Sequence, residues 1–173
     1  SKCFGGCIYC ITSSDMEREV AISLEKAKEL VDSAKNLGIK QVHWIGGEPL
    51  LHPHWYEIVK YTLDSGLRSA IISAGDLYTK ENVKKIMDLE IHKRGWVAFH
   101  LETLNQQVYN RLHTNPQGLK ARLKGLQTLL DAGYPSSQLY PQFTLTRPMI
   151  ETIEELIDWY VDDIGVKYMA MNR

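Results

Sequence analysis

Apolar residues recur along the chain with two alternating periods, one typical of helices and one typical of buried strands. Residues 16–38 carry apolar side chains at Leu24, Ala27, Val31, Ala34 and Leu37. This spacing predicts one buried face of a helix, and Gly38 suits its carboxyl-terminal cap. QVHWIGG, from Gln41, predicts a short buried strand, and Pro53 begins a second predicted helix that ends at Gly66.

The same alternation continues to the end of the chain. AIIS around Ile71, VAFHLE around Phe99, QFTLT and the terminal VKYMAM predict four further strands. Helices are predicted over residues 79–92, over residues 153–165, and along an apolar stripe of Leu119, Leu123, Leu126 and Leu130. Five strands that alternate with five helices are typical of βα units with right-handed crossovers. We therefore predict an α/β fold with a parallel sheet, a partial (β/α)6 TIM-like barrel.

Residues suited to binding or catalysis follow each predicted strand. In barrels of this type the chemistry lies at the carboxyl ends of the strands. The residues at these places are 46–51 (GGEPLL), 73–76 (SAGD), 102–105 (ETLN), 146–148 (TRP), and Asn172 with Arg173. A functional site is therefore expected along this edge of the sheet.

Composition narrows the classes of protein to which the chain can belong. Its 173 residues suffice for one domain with a sizeable core. The net charge of −1 lacks the basic excess that a phosphate backbone attracts, so a nucleic-acid partner is not implied. No stretch approaches the roughly 18 apolar residues of a membrane span, and no signal-peptide pattern is present. We expect a cytoplasmic protein without membrane contact.

All three cysteines lie within the eight residues CFGGCIYC, at Cys3, Cys7 and Cys10. An odd number of thiols at spacings of four and three cannot form the disulfide framework of a secreted protein, so we expect reduced thiols. Thiolates held this close together favour an iron–sulfur cluster or a zinc ion. Gly5 and Gly6 would let the loop fold closely around such a centre.

C-x3-C-x2-C followed by GGEP, which begins 36 residues after Cys10, resembles the radical S-adenosylmethionine (radical SAM) enzyme superfamily. Each motif alone has a simpler explanation, a zinc site or a strand-to-helix turn. The resemblance implies that three thiolates bind a 4Fe–4S cluster whose fourth iron binds S-adenosylmethionine. An electron from the cluster would then cleave the cofactor to a 5′-deoxyadenosyl radical that abstracts hydrogen. An electron donor such as flavodoxin or ferredoxin is implied as a partner.

The resemblance assigns the cluster to the cysteine loop and the adenine to an aromatic neighbour. Cys3, Cys7 and Cys10 resemble the cluster ligands. Tyr9 stands at the aromatic position that packs near the adenine, although it would also suit the core.

GGEP resembles the motif that holds the methionine part of the cofactor. Gly46 and Gly47 would admit its amino end against bare backbone, and Glu48 would accept the ammonium in a charge-assisted hydrogen bond. Pro49 would fix the turn that follows. A surface cap is the alternative role for Glu48.

Two strand ends supply the remaining expected contacts. Ser73 would bind the methionine carboxylate or serve as a plain turn serine, since Ala74 departs from the asparagine that is common in this turn. Glu102 resembles the acidic or hydroxyl residue that binds the ribose hydroxyls, with an exposed strand-end carboxylate as the alternative. His100 points to the same side as Glu102, where a core histidine is expected. Arg147 is either a carboxylate-binding residue or a solvated one.

The stretch 105–117 is long and polar for a barrel connection. It either shapes the substrate side or forms a short surface helix with Val108 and Leu112 turned inward, and the second interpretation is favoured. His52 and His54 are assigned to the start of a helix rather than to a metal.

One strand of the expected barrel has no counterpart in the sequence. A strand should lead into the cysteine loop, but only Ser1 and Lys2 precede Cys3. Without it, the strand at residues 41–46 would keep an unpaired edge, which proteins normally cover. We expect residues 1–173 to be a radical SAM core domain within a longer polypeptide.

The substrate is not evident from the sequence. Features of the chain resemble enzymes of peptide maturation and of cofactor biosynthesis, so a peptide or a small molecule is expected. The rival hypothesis is a non-catalytic domain with structural zinc on the cysteine loop. A degenerate barrel that serves as a binding partner is a third possibility.

Overall fold

Five parallel strands form one sheet in the computed structural model, which describes residues 1–172. The strands lie side by side in chain order, so every connection is a βα crossover, as predicted. The sheet curls into a half-barrel, which confirms the predicted partial TIM-like barrel. The strands are β1 (Gln41–Trp44), β2 (Arg68–Ser73), β3 (Gly95–His100), β4 (Leu139–Thr144) and β5 (Ala170–Asn172). Arg173, expected after the fifth strand, lies outside the described residues.

The bounds of every strand differ from the prediction, and β1 ends at Trp44 rather than at residue 46. β3 ends at His100, so Glu102 lies in the loop that follows. β4 begins at Leu139 rather than Gln142; the earlier start was missed because Pro141 cannot donate to a ladder and resembles a strand boundary. The last strand is three residues long, shorter than the apolar run predicted.

Residues 1–172 contain eight α-helical segments, whereas five helices were predicted. The pieces at residues 91–94 and 147–150 were not predicted as separate helices, whereas the piece at residues 106–112 is the short helix favoured for the stretch 105–117. The helices are α1 (Leu24–Asn36), α2 (Trp55–Asp64), α3 (Lys80–Asp88), α4 (Ile91–Arg94), α5 (Gln106–Leu112), α6 (Gly118–Asp131), α7 (Arg147–Ile150) and α8 (Ile153–Asp158).

The first helix begins eight residues later than predicted. Asp15 accepts hydrogen bonds from the backbone amides of Glu17 and Arg18 and so holds the preceding segment in a turn. Ser23 then caps the helix by accepting from the amide of Lys26 at 3.1 Å. The helical prediction for residues 16–23 was wrong because these local polar bonds replace the first helical turns.

Two other predicted helices are interrupted. Residues 79–92 divide into α3 and α4 because Glu90 adopts a left-handed backbone with φ of 49°. After α8 the chain continues as a π-helical stretch, Trp159–Ile164, which Gly165 ends in a left-handed conformation, as its position suggested.

The hydrophobic core lies between the outer face of the sheet and the helices. Ile71 of β2 and Val97 of β3 are paired and fully buried there. Alternate residues point to the opposite, concave face, where the Trp96 ring lies 5.1 Å from that of His43 and 4.8 Å from that of Tyr140. On the helical side, a Cβ on Gly125 of α6 would lie 2.0 Å from the carbonyl oxygen of Gly75, so α6 packs tightly against the loop after β2.

In the described part of the chain, β1 pairs only with β2. At the carboxyl end of β1 the amide of Glu48 donates to the carbonyl of Lys2 at 2.8 Å, and a Cβ on Gly47 would lie 2.1 Å from that carbonyl. Glycine is therefore required where the two segments meet. Between residues 1 and 172, no helix has the length and hydrophobicity needed to cross a membrane.

Candidate functional site

The cysteine loop lies beside the segment that follows α5, at the carboxyl ends of the strands. The amide of Ile8 donates to the carbonyl of Leu112 at 3.0 Å, and the amide of Thr114 donates to the carbonyl of Gly6 at 2.9 Å. Cys7 and His113 thus form an antiparallel bridge. This attachment, across more than one hundred residues of sequence, was not predicted.

Two of the three thiols converge on one glycine. A Cβ on Gly5 would lie 3.3 Å from Cys7 Sγ and 3.4 Å from Cys3 Sγ. Cys10 instead turns its sulfur to Thr12 Oγ1, 3.2 Å away. All three cysteines are free and half-buried, and the described residues contain no preformed group of three His, Cys, Asp or Glu side chains with metal-binding geometry. The loop therefore brings two thiols together and leaves the third to be rotated inward.

The thiols of Cys3 and Cys10 lie in different electrostatic surroundings. Burial raises the pKa of Cys3 to about 11. Partial burial also opposes ionisation of Cys10, but hydrogen bonds from Thr12 and neighbouring backbone amides outweigh it and lower the pKa of that thiol. Cys10 is thus the more readily ionised of the two.

Glu48 is buried beneath the loop after β1. Its Oε1 accepts from the amide of Leu50 at 3.1 Å, which caps the 3₁₀ turn Pro49–Leu51, and its Oε2 accepts from the amide of Ala74 at 3.1 Å. Burial raises the pKa of Glu48 to about 7 despite these bonds. The buried ion pairs among residues 1–172 do not include Glu48, so its carboxylate lacks a cationic partner. It is a cap, but a buried one rather than a surface one.

Ser73 ends β2 directly beside Glu48. It is buried, and its Oγ accepts from the amide of Gly75 at 3.0 Å. The departure at Ala74 does not disturb this loop, because that residue contributes its backbone amide to Glu48. Gly46 and Gly47 complete the strand end on the other side, with Gly46 at a φ of 158°.

Glu102 is fully buried, and both its oxygens have partners. Oε1 lies 2.5 Å from His100 Nε2, and Oε2 lies 3.1 Å from His113 Nε2 and 3.5 Å from Arg122 Nη1. The alternative of an exposed strand-end carboxylate was therefore wrong. These cationic and neutral donors replace the hydrogen bonds to water that the carboxylate loses on burial.

Tyr9 and His100 join the cysteine loop to β3. The Tyr9 hydroxyl lies 3.3 Å from His100 Nε2, and the two rings are nearly parallel with centroids 6.3 Å apart. Burial, with the charges of Arg122 and His113, lowers the pKa of His100 to about 3, so its imidazole is neutral. The side chain is 22% exposed and its Nε2 has partners in Tyr9 and Glu102, so His100 is a satisfied, mostly buried histidine at the edge of the core.

His113 and Arg122 were not assigned roles by the sequence analysis. The polar stretch that contains His113 forms α5, with Val108 and Leu112 buried as the favoured interpretation predicted. Arg122 could have been found from its position, because it lies three residues after Leu119 and four before Leu126 on the buried face of α6. A charged residue in such a stripe indicates a buried partner.

Arg122 lies below the cysteine loop with no exposed surface. Its Nε donates to Asp76 Oδ1 at 3.1 Å, and its Nη1 donates to the carbonyl of His100 at 3.2 Å. Nη2 has no hydrogen-bond partner within the described chain and lies 3.3 Å from the place that a Cβ on Gly5 would take. An unused donor therefore faces the space into which Cys3 and Cys7 also point.

The remaining candidates lie elsewhere. Arg147 is exposed at the start of α7, in agreement with a solvated side chain. His52 Nε2 lies 2.7 Å from the carbonyl of Ile22, and His52 Nδ1 accepts from the amide of His54. These histidines join two loops near the start of α2.

Comparison with known proteins identifies the family to which the chain belongs. The sequence model of the radical SAM superfamily matches residues 1–166. The chain belongs to the radical SAM superfamily. This membership confirms the resemblance seen in the two motifs, and the superfamily implies S-adenosylmethionine and an iron–sulfur cluster as cofactors.

Its relatives are longer proteins. The chain is 25% identical over 134 residues to the AdoMet-dependent heme synthase of Methanosarcina barkeri, an alignment of 77% of the chain and 38% of that protein. It is 21% identical over 158 residues to the PqqA peptide cyclase of Granulibacter bethesdensis, covering 91% and 41%. Streptococcus suis SuiB bound to its precursor peptide SuiA superimposes with a TM-score of 0.78, 18% identity and coverage of 98% and 36%. The chain thus spans less than half the length of each.

Proposed function

We propose that this chain is the catalytic core domain of a longer radical SAM enzyme. It would hold a 4Fe–4S cluster on Cys3, Cys7 and Cys10 and bind S-adenosylmethionine along the carboxyl ends of β1, β2 and β3. When bound, the cluster supplies the electron that cleaves the cofactor to a 5′-deoxyadenosyl radical. The observation that carries the proposal is the unused Nη2 donor of Arg122, which faces the two converging thiols beside Gly5.

The donor set suits an anionic cluster. Cys3 and Cys7 already share the space around Gly5, which a larger side chain would fill. Cys10 reaches the same space once its sulfur leaves Thr12, a rearrangement typical of sites whose final geometry forms with the metal. Arg122 offsets negative charge there and donates a hydrogen bond to a thiolate or carboxylate.

The loops after β1 and β2 suit the methionine end of the cofactor. Glu48 is a buried carboxylate without a cationic partner. An ammonium group bound beside it would therefore offset the free-energy cost of burying its negative charge. Residues 1 and 2 cover Gly46 and Gly47, because the Gly47 amide donates to Ser1 Oγ at 2.7 Å and a Cβ on Gly47 would lie 2.1 Å from the carbonyl of Lys2, so the expectation of bare backbone facing the cofactor there was wrong. Pro49 starts the turn that follows Glu48. Ser73 places a hydroxyl at the neighbouring strand end.

Tyr9 and Glu102 suit the adenosine end. Tyr9 offers a ring face between the cysteine loop and β3, which supports adenine packing. Glu102 has two oxygens, each with more than one lone pair, and would accept ribose hydroxyls beside its present donors, which requires those donors to shift because its side chain has no exposed surface. His100, on the concave face of the sheet, contacts the same carboxylate.

We infer that the substrate is a peptide in a maturation reaction or the precursor of an organic cofactor. The support is comparative, since the relatives include a heme synthase, a peptide cyclase and a structure bound to a precursor peptide. A low-potential donor such as flavodoxin or ferredoxin would supply the electron. The rival zinc hypothesis requires a histidine beside the three cysteines. His52 and His54 are engaged elsewhere, and the two ring nitrogens of His113 lie within hydrogen-bond distance of Gly5 and Glu102.

Anaerobic reconstitution with iron and sulfide tests the proposal. The chain should turn brown, bind about four irons per chain by the stoichiometry of a cubane cluster, and form 5′-deoxyadenosine from S-adenosylmethionine under dithionite. The triple variant Cys3→Ala, Cys7→Ala, Cys10→Ala should do none of these. A colourless zinc protein would support the rival, and a cluster that never cleaves the cofactor would support a degenerate barrel.

A further inference from the structure

We propose that His113 is a positioning residue that joins the cysteine loop to Glu102 and so sets the distance between the two halves of the cofactor site. His113 Nδ1 lies 3.1 Å from the carbonyl oxygen of Gly5, and His113 Nε2 lies 3.1 Å from Glu102 Oε2. These three groups form the His113 bridge. The inference rests on the proposed function, because it concerns how the chain arranges the residues expected to contact the cofactors.

The carbonyl of Gly5 can only accept, so His113 Nδ1 donates to it, and Nε2 lies within hydrogen-bond distance of Glu102 Oε2. One side chain thus ties a backbone atom of the loop to a carboxylate beyond β3. The two partners lie 108 residues and 11 residues from His113 in sequence, so the bridge joins parts of the chain that have no local connection.

His113 is held firmly in this position. Its side chain has no exposed surface, and its ring stacks on that of Tyr109 with centroids 4.2 Å apart. Its backbone pairs with Cys7, and the backbone amide of the flanking residue Thr114 donates to the carbonyl of Gly6. Because these contacts fix the ring, its two nitrogens determine where the Gly5 carbonyl and the Glu102 carboxylate lie. Histidines and carboxylates that hydrogen-bond to the ligands of other metal sites act in the same way.

Two substitutions can separate the two ends of the bridge. In His113→Asn the amide nitrogen takes the place of Nδ1, so the bond to Gly5 is kept and the bond to Glu102 is lost. In His113→Gln the amide nitrogen takes the place of Nε2, so the opposite holds. His113→Phe keeps a ring on Tyr109 and loses both bonds. His92→Asn and His92→Gln are matched controls, because His92 lies in α4 at the other end of β3.

The first measurement needs no cofactor. Iodoacetamide alkylation of Cys3, whose sulfur accepts from the amide of Gly5 at 3.3 Å, reports how firmly the loop is held in the metal-free chain when followed by mass spectrometry. We expect His113→Gln and His113→Phe to react faster than wild type, by about tenfold for the loss of one buried polar contact, and His113→Asn to match wild type. Circular dichroism identifies any variant that fails to fold.

The second measurement uses the reconstituted chain. The Kd for S-adenosylmethionine, followed by the change in the cluster's electron paramagnetic resonance signal, should rise about 10-fold to 100-fold in His113→Asn and His113→Phe. His113→Gln should stay within about threefold of wild type, since it keeps Glu102 in place. The two tests therefore rank the Asn and Gln variants in opposite orders, which a merely structural role for His113 does not produce.

The possible failures are distinct. If His113→Asn and His113→Gln behave alike in both measurements, the His113 bridge is overturned while the proposed function stands. If wild type binds no S-adenosylmethionine after reconstitution, the proposed function is overturned, and so is the role given to the contact between His113 and Glu102. The relative alkylation rates of the variants then test the contact between His113 and Gly5 by themselves.

Discussion

Arg122 and Asp76 form a buried ion pair that joins α6 to the loop after β2. Arg122 Nε lies 3.1 Å from Asp76 Oδ1, and the side chains are 0% and 10% exposed. Glu102 is the second carboxylate that faces the guanidinium, at 3.5 Å from Nη1. One arginine therefore balances two acidic groups drawn from different strand ends, which makes it the electrostatic centre of the site.

Replacement of this arginine by a neutral residue should destabilise the fold. Arg122→Met leaves Asp76 and Glu102 without their shared cation and should lower the free energy of unfolding by about 3–5 kcal/mol. Arg122→Lys keeps the charge but cannot reach both Asp76 and the carbonyl of His100, so its loss should be smaller. Urea denaturation at pH 7 measures both. A Met variant as stable as wild type would show that the ion pair contributes nothing net.

Glu48 should make the cofactor-free chain less stable as the pH rises. Burial raises its pKa from 4.5 to about 7 in the folded state, so between these values the folded chain binds the proton more tightly than the unfolded chain does. The contribution is absent below pH 4.5 and reaches a loss of about 3 kcal/mol above pH 7, from about 1.4 kcal/mol per pKa unit.

The glutamine variant isolates this contribution. Glu48→Gln cannot ionise, so its unfolding free energy should fall less than that of wild type between pH 4.5 and pH 7. Parallel urea titrations of the two proteins across that interval give the difference, and the slopes matter more than the absolute values because Gln also loses one acceptor. Identical pH profiles would show that Glu48 is not the group responsible.

A methyl group at Gly5 should separate folding from cluster assembly. In Gly5→Ala the new Cβ lies 3.3 Å from both Arg122 Nη2 and Cys7 Sγ, in the space where we place the cluster. Gly5 does not have a positive φ, so alanine fits the backbone. The melting temperature should stay close to that of wild type, whereas iron bound after reconstitution should resist a chelator about tenfold less well. A variant that loses no iron would place the cluster elsewhere.

Much of the fold could be read from periodicity because the signals are local. The alternation of apolar runs with helical stripes predicted all five strands and their parallel order, and Gly38 and Gly165 marked helix ends with their left-handed backbones. The errors arose where a polar group or an unusual backbone overrode the stripe. Asp15 bound the amides of Glu17 and Arg18 at the place where a helix was predicted, and Glu90 divided one predicted helix in two.

In the candidate site, too, the local motifs could be predicted from the sequence and the contacts between distant segments could not. The cysteine loop and GGEP are contiguous motifs, so the sequence by itself indicated the superfamily and the order of the two motifs along the chain. Only the tertiary structure decided that Glu102 is buried, that Cys10 turns to Thr12, and that His113 bridges two segments. The physical reason is that burial and donor geometry depend on which segments the crossovers bring together, and no local pattern specifies a contact between residues 5 and 113.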